Sequence, residues 1–203
     1  MSRAARKPPA ERRAELAAAA RSLALDEGLT AVTLRAVAAR AGVTPALVAY
    51  YHESMDGLVV ETFVSVVAAE IDEVRALLAA ETHPVPRLAA LLRTLLDGSR
   101  DDVTVIWVEA FALGRRNVAL GSAVRGQMDA WRDVIEGVIH AGVASGDFRA
   151  EDPRAVAWQL LGMIDGLNAQ ALVRWGGAAE RGSLLAHVLE GMLGLGSGAL
   201  LTV

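Results

Sequence analysis

The sequence predicts an all-α protein, in which a small N-terminal domain of three helices contains a helix-turn-helix and a larger C-terminal domain is a helical bundle. About nine helices are expected in total, and the two domains are expected to comprise residues 1–53 and 54–203. Hydrophobic residues make up 53% of the chain and aromatic residues only 4%. The core is therefore built largely from Ala, Leu and Val, and Ala and Leu are strong helix formers. Apolar residues recur at helical spacing, and no segment alternates as a strand would.

The first helix is expected to run from Pro9 to about Glu27. Proline is tolerated in the first turn of a helix, and Gly28 follows as a C-terminal stop. One face of this helix is apolar and consists of Leu16, Ala20, Leu23 and Ala24. Such a face predicts a helix that packs on a core.

Two short helices joined by a tight turn come next. Thr33 can cap the first helix, and Gly42 ends it. Thr44 can cap the second helix, with Pro45 at the first helical position, where its missing N–H costs nothing. This arrangement predicts a helix-turn-helix. Helical spacing turns one group of residues towards the core and another outwards: Val43, Val48 and Tyr51 against Ala46, Ala49 and Tyr50.

Six further helices are expected after the helix-turn-helix. Ser54 can cap the first of them, and Asp152 followed by Pro153 forms a cap and first-position pair that opens the fifth. The six cover about 54–80, 84–96, 102–114, 122–144, 153–173 and 179–193. The tail LGLGSGALLTV is rich in glycine and is expected to be loose.

Charge is distributed unevenly along the chain. The net charge is −4, yet residues 1–52 hold eight Lys and Arg against four Asp and Glu, and the remainder holds twelve against twenty. A basic segment joined to an acidic one indicates nucleic-acid contact at the basic end. The alternative is an ordinary solvated surface, because short charge imbalances are common.

Several classes of protein are not expected from this sequence. The chain has no cysteine, which excludes a disulfide scaffold and any thiolate metal site and suits a reducing cytosol. No apolar stretch resembles a secretory signal or approaches the ~18 residues of a membrane span. We therefore expect a cytoplasmic protein that has no membrane contact, cofactor or metal.

An enzyme is not expected either. The four histidines lack any metal-binding spacing such as H-E-x-x-H; they are His52, His83, His140 and His187. The GLGSG stretch at 194–198 has no strand before it and lacks the lysine of a phosphate-binding loop. Ser197 also lacks the G-x-S-x-G spacing of a catalytic serine.

The stretch GLTAVTLRAVAARAGVTPALVAYYHESMDGLV, at 28–59, resembles the N-terminal domain of TetR-family regulators. The order and spacing of ten positions carry this resemblance: Gly28, Thr33, Ala41, Gly42, Val43, Thr44, Tyr51, Ser54, Asp56 and Leu58. The remaining residues resemble the family in helix count and in the Gly166-Leu167 pair. The resemblance implies a homodimer that binds a palindromic operator in double-stranded DNA and responds to a small-molecule effector of unidentified structure.

The resemblance also implies which residues meet the DNA. The residues carried over from the family's recognition helix are Thr44, Pro45, Ala46, Ala49, Tyr50 and Tyr51. A recognition helix lies in the major groove, where each base pair presents a distinct pattern. The hydroxyls of Thr33 and Thr44 can bind phosphates, and Arg35 lies at the start of the preceding helix. Basic residues of the N-terminal arm can reach phosphates or a minor groove, and these are Arg3, Arg6 and Lys7.

Three positions depart from the family pattern. Met55 stands where helix four usually begins with a phosphate-binding lysine, His52 replaces the usual aromatic residue, and Ala49 replaces a frequent tyrosine. The expected reading face is therefore almost apolar. We expect recognition to rely on thymine methyl groups, tyrosine hydroxyls and DNA shape rather than on bidentate contacts to bases.

The C-terminal domain is expected to pair two chains and to bind the effector. The last two helices would form a four-helix bundle with their twofold mates. Gly162 and Gly166 on one face would allow the close approach either of that partner or of a helix in the same chain. The candidate effector residues are Trp107, Phe111, Met128, Trp131, Trp158 and Asp165.

The region around helix four is similar to the choline-responsive BetI branch of the family. Tryptophans and a carboxylate can enclose a quaternary ammonium through cation–π contact. The same tryptophans can equally be core residues, and Asp165 can be a capping or dimer-facing residue.

The sequence thus predicts a repressor that a ligand releases from DNA by favouring a conformation unable to bind the operator. One alternative is a degenerate family member that binds DNA weakly and acts through a ligand or a protein partner. A second alternative is an all-helical enzyme, which no constellation of residues favours.

Overall fold

The computed structural model describes residues 7–201. Within that range every regular secondary-structure element is a helix, as the sequence predicts. The helices are α1 (Pro9–Glu27), α2 (Leu34–Arg40), α3 (Pro45–Tyr51), α4 (Met55–Ala79), α5 (Pro84–Leu96), α6 (Asp101–Gly114), α7 (Val118–Ser145), α8 (Pro153–Ala171) and α9 (Ala178–Leu193). A short 3-10 turn at Leu29–Ala31 joins α1 to α2.

The chain divides into two compact units. The described part of the first unit comprises residues 7–66 and 105–124, and that of the second comprises 67–104 and 125–201. Helices α4, α6 and α7 each contribute residues to both units. Residues 105–124, which are distant in sequence, thus belong to the same unit as the helix-turn-helix.

The first unit is built around locally capped helices. The Thr33 hydroxyl oxygen accepts a hydrogen bond from the Ala36 N–H at 3.1 Å, and the Thr44 hydroxyl oxygen accepts one from the Leu47 N–H at 3.3 Å. Gly42, between α2 and α3, adopts φ +65°, which favours glycine. The side chains buried in this unit include Leu16, Leu23, Leu29, Val37, Val48 and Phe63. The predicted core faces of α1 and α3 are thereby confirmed, except that Val43 and Tyr51 are only half-buried.

The second unit is held at the carboxyl end of α5 by side chains from two later helices. The Asn168 amide of α8 donates to the Leu95 carbonyl at 2.8 Å. The Arg181 guanidinium of α9 donates to the Leu96 carbonyl at 3.3 Å and to the Gly176 carbonyl at 3.0 Å. Arg181 is buried, and the negative end of the α5 dipole favours a cation there.

Two expectations from the sequence are wrong. Helix α7 begins at Val118 rather than near 122, because the Asn117 side-chain oxygen accepts the Leu120 N–H at 3.0 Å and caps it. The tail, which was expected to be loose, is held against α9 up to Leu200. The buried Glu190 carboxylate accepts the N–H groups of Gly198 and Leu200, each at 3.0 Å, and the Leu200 side chain is buried.

Candidate DNA interface and effector site

The outward face of α3 is open to solvent. Tyr50 is 78% exposed, and the other exposed residues along α3 and its cap are Thr44, Pro45, Ala46 and Ala49. Val48 on the opposite side is fully buried, so that the helix is anchored by one face and presents the other. The geometry matches the outward group predicted from helical spacing.

Tyr51 occupies an intermediate position between core and surface. Its ring packs edge-on against Tyr50, with ring centroids 5.2 Å apart, and the Arg13 guanidinium lies 5.9 Å from its centroid. The Tyr51 side chain is half-buried. These contacts assign Tyr51 a supporting position behind Tyr50 at the end of α3.

The basic residues near α3 differ in their availability. Arg35 is exposed on α2. Arg40, at the end of α2, pairs instead with Asp26 and Glu27 of α1 at 2.5 and 3.0 Å, and its hydrogen bond lowers the pKa of the Asp26 carboxyl. Lys7 lies 3.1 Å from the Glu15 carboxylate.

Arg3 and Arg6 lie outside the described residues. Among the described basic candidates, Arg35 is the one that lies within the helix-turn-helix itself, and it is exposed. The hydroxyls of Thr33 and Thr44 accept cap bonds through oxygen and keep a proton that can be donated to a phosphate.

The start of α4 shows how the departures from the family pattern are accommodated. Ser54 accepts the Gly57 N–H at 2.9 Å and caps the helix as predicted. Met55 is half-buried and supplies no charge. His52 is 5% exposed, with Nδ1 3.0 Å from a carboxylate oxygen of Glu61. His52 therefore belongs to the core of this unit rather than to its DNA-facing surface.

The candidate effector residues fall into both units. In the first unit, Trp107 lies between Phe63 and Phe111, with ring centroids 5.1 and 5.6 Å away. In the second unit, Trp131 is buried and Trp158 is 70% exposed, while Met128 is half-buried. Burial raises the pKa of Asp165 on α8 to about 6.

Three cavities lie among the described residues of the second unit, and the sequence did not predict which residues line them. Their volumes are about 300, 370 and 420 Å³, and none of the six candidate effector residues lines these three. The cavity of about 370 Å³ is formed by α5, α9 and the tail, and its apolar lining includes Leu92, Leu96, Ala179, Ala186 and Leu200. Helical periodicity shows which residues are apolar but not which pairs of helices leave a gap between them.

The exposed sides of α8 and α9, which together we call the α8–α9 face, carry apolar and small residues. These are Trp158, Gly162, Gly166, Leu184 and Val188. A Cβ atom added at Gly162 or Gly166 would meet no described atom within 4 Å. The alternative of an intrachain helix packed on these glycines is therefore wrong for the described part of the chain.

Two matches to known families cover most of the chain. A family described as bacterial regulatory proteins of the tetR family matches residues 16–62, and one described as the C-terminal domain of BetI-type transcriptional repressors matches residues 84–194. The chain belongs to the TetR family. It is a transcription regulator with a BetI-type C-terminal domain and not an enzyme, as the sequence predicts.

Individual relatives agree with this assignment. The HTH-type transcriptional regulator BetI of Rhizobium meliloti is 31% identical over 111 residues, which cover 54% of each chain, so that the match spans about half of that relative. This TetR-family regulator shares its fold with a transcriptional regulator from Saccharomonospora viridis in complex with choline. The two are 23% identical, the match covers 91% of this chain and 98% of that one, and the TM-score is 0.79. A TetR regulator from Haloarcula marismortui has 23% identity, 91% and 99% coverage and a TM-score of 0.78.

The described residues provide neither a membrane-spanning helix nor a cluster of metal ligands. Across residues 7–201, no helix combines the length and apolar content that crossing a membrane requires. The same residues contain no group of three or more His, Asp or Glu side chains arranged to hold a metal ion.

Proposed function

We propose that this TetR-family regulator acts in the cytoplasm as a homodimeric repressor that binds a palindromic operator and is released by a small cation of the choline type. The observation that supports DNA reading most directly is the geometry of α3. Its buried Val48 fixes the helix, while Tyr50, Ala46 and Ala49 face outwards. A helix presented in this way fits the major groove of B-DNA.

The composition of the reading face predicts how it recognises DNA. Ala46 and Ala49 can contact thymine methyl groups, and the Tyr50 hydroxyl can donate or accept a hydrogen bond. Arg35, Thr33 and Thr44 are exposed and suit phosphate contacts, which position the protein without reading sequence. We propose that much of the specificity comes from DNA shape, because this face has no side chain able to make two hydrogen bonds to one base.

The α8–α9 face supports dimerisation. A palindromic operator requires two heads related by a twofold axis. Trp158 and Leu184 are 70% and 56% exposed, and Gly162 and Gly166 leave open space in which a second helix can approach closely. We propose that this face forms a four-helix bundle with its copy in a partner chain.

The Asp165 carboxyl supports a cationic effector. The Asp165 carboxylate makes no hydrogen bond or ion pair with another residue in the 7–201 range, and its pKa is raised to about 6 by burial. A quaternary ammonium lacks N–H donors and is recognised by negative charge and aromatic faces. The choline complex of the S. viridis relative and the BetI-type match support this class of effector. Such a cation would shift the population to a form with low operator affinity.

The test is to let the purified protein select the DNA that it binds from a random-sequence pool, with and without choline chloride. We expect enrichment of a palindrome and loss of the bound fraction when choline is added. Replacing Tyr50 or Arg35 by Ala should weaken binding about tenfold each. Arg125→Ala, at an exposed position of α7, is the charge-matched control and should bind as the wild type does.

A second candidate function is favoured by the absence of a cation at Met55 and by the apolar reading face. In this alternative the head binds DNA weakly, and the regulator acts through a ligand or protein partner. Salt-sensitive binding without an enriched motif would support this alternative and contradict the operator proposal. If the Tyr50 and Arg35 variants bound DNA as tightly as the wild type, the operator proposal would likewise be contradicted.

A further inference from the structure

The turn that immediately precedes the helix-turn-helix has no cap of its own. The 3-10 turn at Leu29–Ala31 follows Gly28, and the first N–H groups of any helical turn lack partners within it. A Ser, Thr, Asp or Asn at the preceding position would usually satisfy them. Gly28 has no side chain, and its φ of +89° is a conformation that other residues rarely adopt.

Glu109 supplies the missing cap from α6. Its carboxylate accepts the Thr30 N–H at 3.0 Å through one oxygen and the Thr30 hydroxyl at 2.8 Å through the other. The two residues are 79 positions apart in sequence, and both belong to the first unit. We name this arrangement the Glu109 clasp.

Gly28 is required by the clasp for a second reason besides its backbone conformation. A Cβ atom at this position would lie 2.8 Å from one Glu109 carboxylate oxygen and 3.0 Å from the other. A side chain there would force the Glu109 carboxylate to shift from its position against Thr30. Both the backbone conformation of the turn and the present position of the α6 carboxylate therefore favour glycine at residue 28.

The clasp attaches the three-helix head, α1 to α3, to α6 of the first unit. Along the chain, the head continues into the rest of that unit through His52 and the start of α4. A side-chain attachment at Thr30, three residues before the α2 cap Thr33, restricts rotation of the head about that covalent junction. An operator with two half-sites requires each head to be held in one orientation.

We propose that Glu109 is a positioning residue for operator binding, which acts by fixing the turn before the helix-turn-helix and not by touching DNA. The proposal rests on operator binding by a dimer, as proposed above. Glu109 is a carboxylate on a largely apolar helix, and neither base contact nor effector binding explains its presence there. The proposal assigns it a role.

The test compares Glu109→Gln with Thr30→Val, Thr30→Ser and the control Glu151→Gln, which removes an exposed charge from the loop before α8. Affinity is measured for the selected operator duplex and for a non-specific duplex of the same length. Non-specific binding depends mainly on phosphate charge, so that it does not require the two heads in register. We expect Glu109→Gln to lose about tenfold in operator affinity, as the loss of charge-assisted hydrogen bonds implies, with less than about a twofold change on non-specific DNA.

The Thr30 variants separate positioning from a general loss of stability. Thr30→Val should weaken operator binding in the same direction, Thr30→Ser should restore wild-type affinity, and the Glu109→Gln/Thr30→Val double variant should be no weaker than Glu109→Gln alone. Operator affinity unchanged in Glu109→Gln would overturn the proposal. A parallel loss on both duplexes would also overturn it, because partial unfolding reduces both equally.

A readout without DNA distinguishes failure of the clasp from failure of the proposed function. Amide hydrogen exchange at Thr30 should be about tenfold faster in Glu109→Gln than in the wild type, since its N–H loses a charged acceptor. Equal exchange rates would overturn the clasp whatever the DNA result. A wild-type protein that selects no operator would instead contradict the proposed function.

Discussion

The amino end of α3 and the 3-10 turn before α2 are both short segments of the first unit, yet they obtain their caps in opposite ways. Thr44 bonds the Leu47 N–H three residues further on, whereas the Thr30 N–H depends on Glu109, 79 residues away. The carboxyl end of α5 resembles the turn, because its cap comes from Arg181, 85 residues from Leu96. Local caps define where helices begin, and remote caps define how helices are held together.

The largest effect is expected at the remote cap of α5. Arg181→Ala removes the donor to the Leu96 carbonyl in a buried site and the donor to the part-buried Gly176 carbonyl. The free energy of unfolding should fall by about 3 kcal/mol, as measured by chemical denaturation.

Arg154→Ala, at an exposed position of α8, is the control for Arg181→Ala and should change stability by less than about 0.5 kcal/mol. If the two variants were equally stable, the Arg181 cap would contribute nothing, and the comparison between local and remote caps would lose its strongest case.

An intermediate effect is expected at Asp165, whose carboxylate has neither a local nor a remote partner among the described residues. Its pKa is raised by burial from 3.8 to about 6, so that the folded protein holds this proton more tightly than the unfolded chain does. Protonation of Asp165 therefore contributes favourably to the stability of the folded protein. This contribution is complete below about pH 4 and is lost as the pH rises through 6. Asp165→Asn should therefore stabilise the protein by about 1 to 2 kcal/mol at pH 8, after allowance for partial solvent exposure.

The stabilisation by Asp165→Asn should disappear at pH 4, where both side chains are uncharged. Denaturation curves for the two proteins at pH 4, 6 and 8 test this expectation. A constant difference between them across the range would show that the Asp165 carboxyl titrates at the same pH in the folded and unfolded chains.

The smallest effect is expected at the local caps. Thr44→Ala removes the oxygen that accepts the Leu47 N–H and should cost about 1 kcal/mol of stability. Thr44→Ser retains that oxygen and is the matched control. A cost for Thr44→Ala as large as that for Arg181→Ala would contradict the ranking of remote above local caps.

Sequence reasoning succeeds where the determinant is local. The bounds of α1, the caps Thr33, Thr44 and Ser54, and the outward group on α3 follow from spacing and from residues within four positions of each other. The family was also identified from one continuous stretch. All of these signals depend on neighbours in the chain.

The determinants that sequence reasoning missed act over long separations. Glu109 is a polar residue on an apolar helix, and nothing within α6 indicates that Thr30 is its partner. The glycine-rich tail offered no signal of order, because it is fixed by the Glu190 carboxylate of α9. The α5–α9 cavity likewise depends on which helices meet, and periodicity within one helix does not determine that.

The two exposed alanines of α3 have a consequence for how this regulator can change its target. Ala46 and Ala49 lie outside the core, and neither is the cap of its helix. In the proposed mode of operator reading, longer side chains at these two positions would alter the preferred base sequence while leaving the caps and Val48 in place. On that proposal, target choice is separated from folding, and substitutions at these two alanines would give regulators that keep the same C-terminal domain and recognise different DNA sequences.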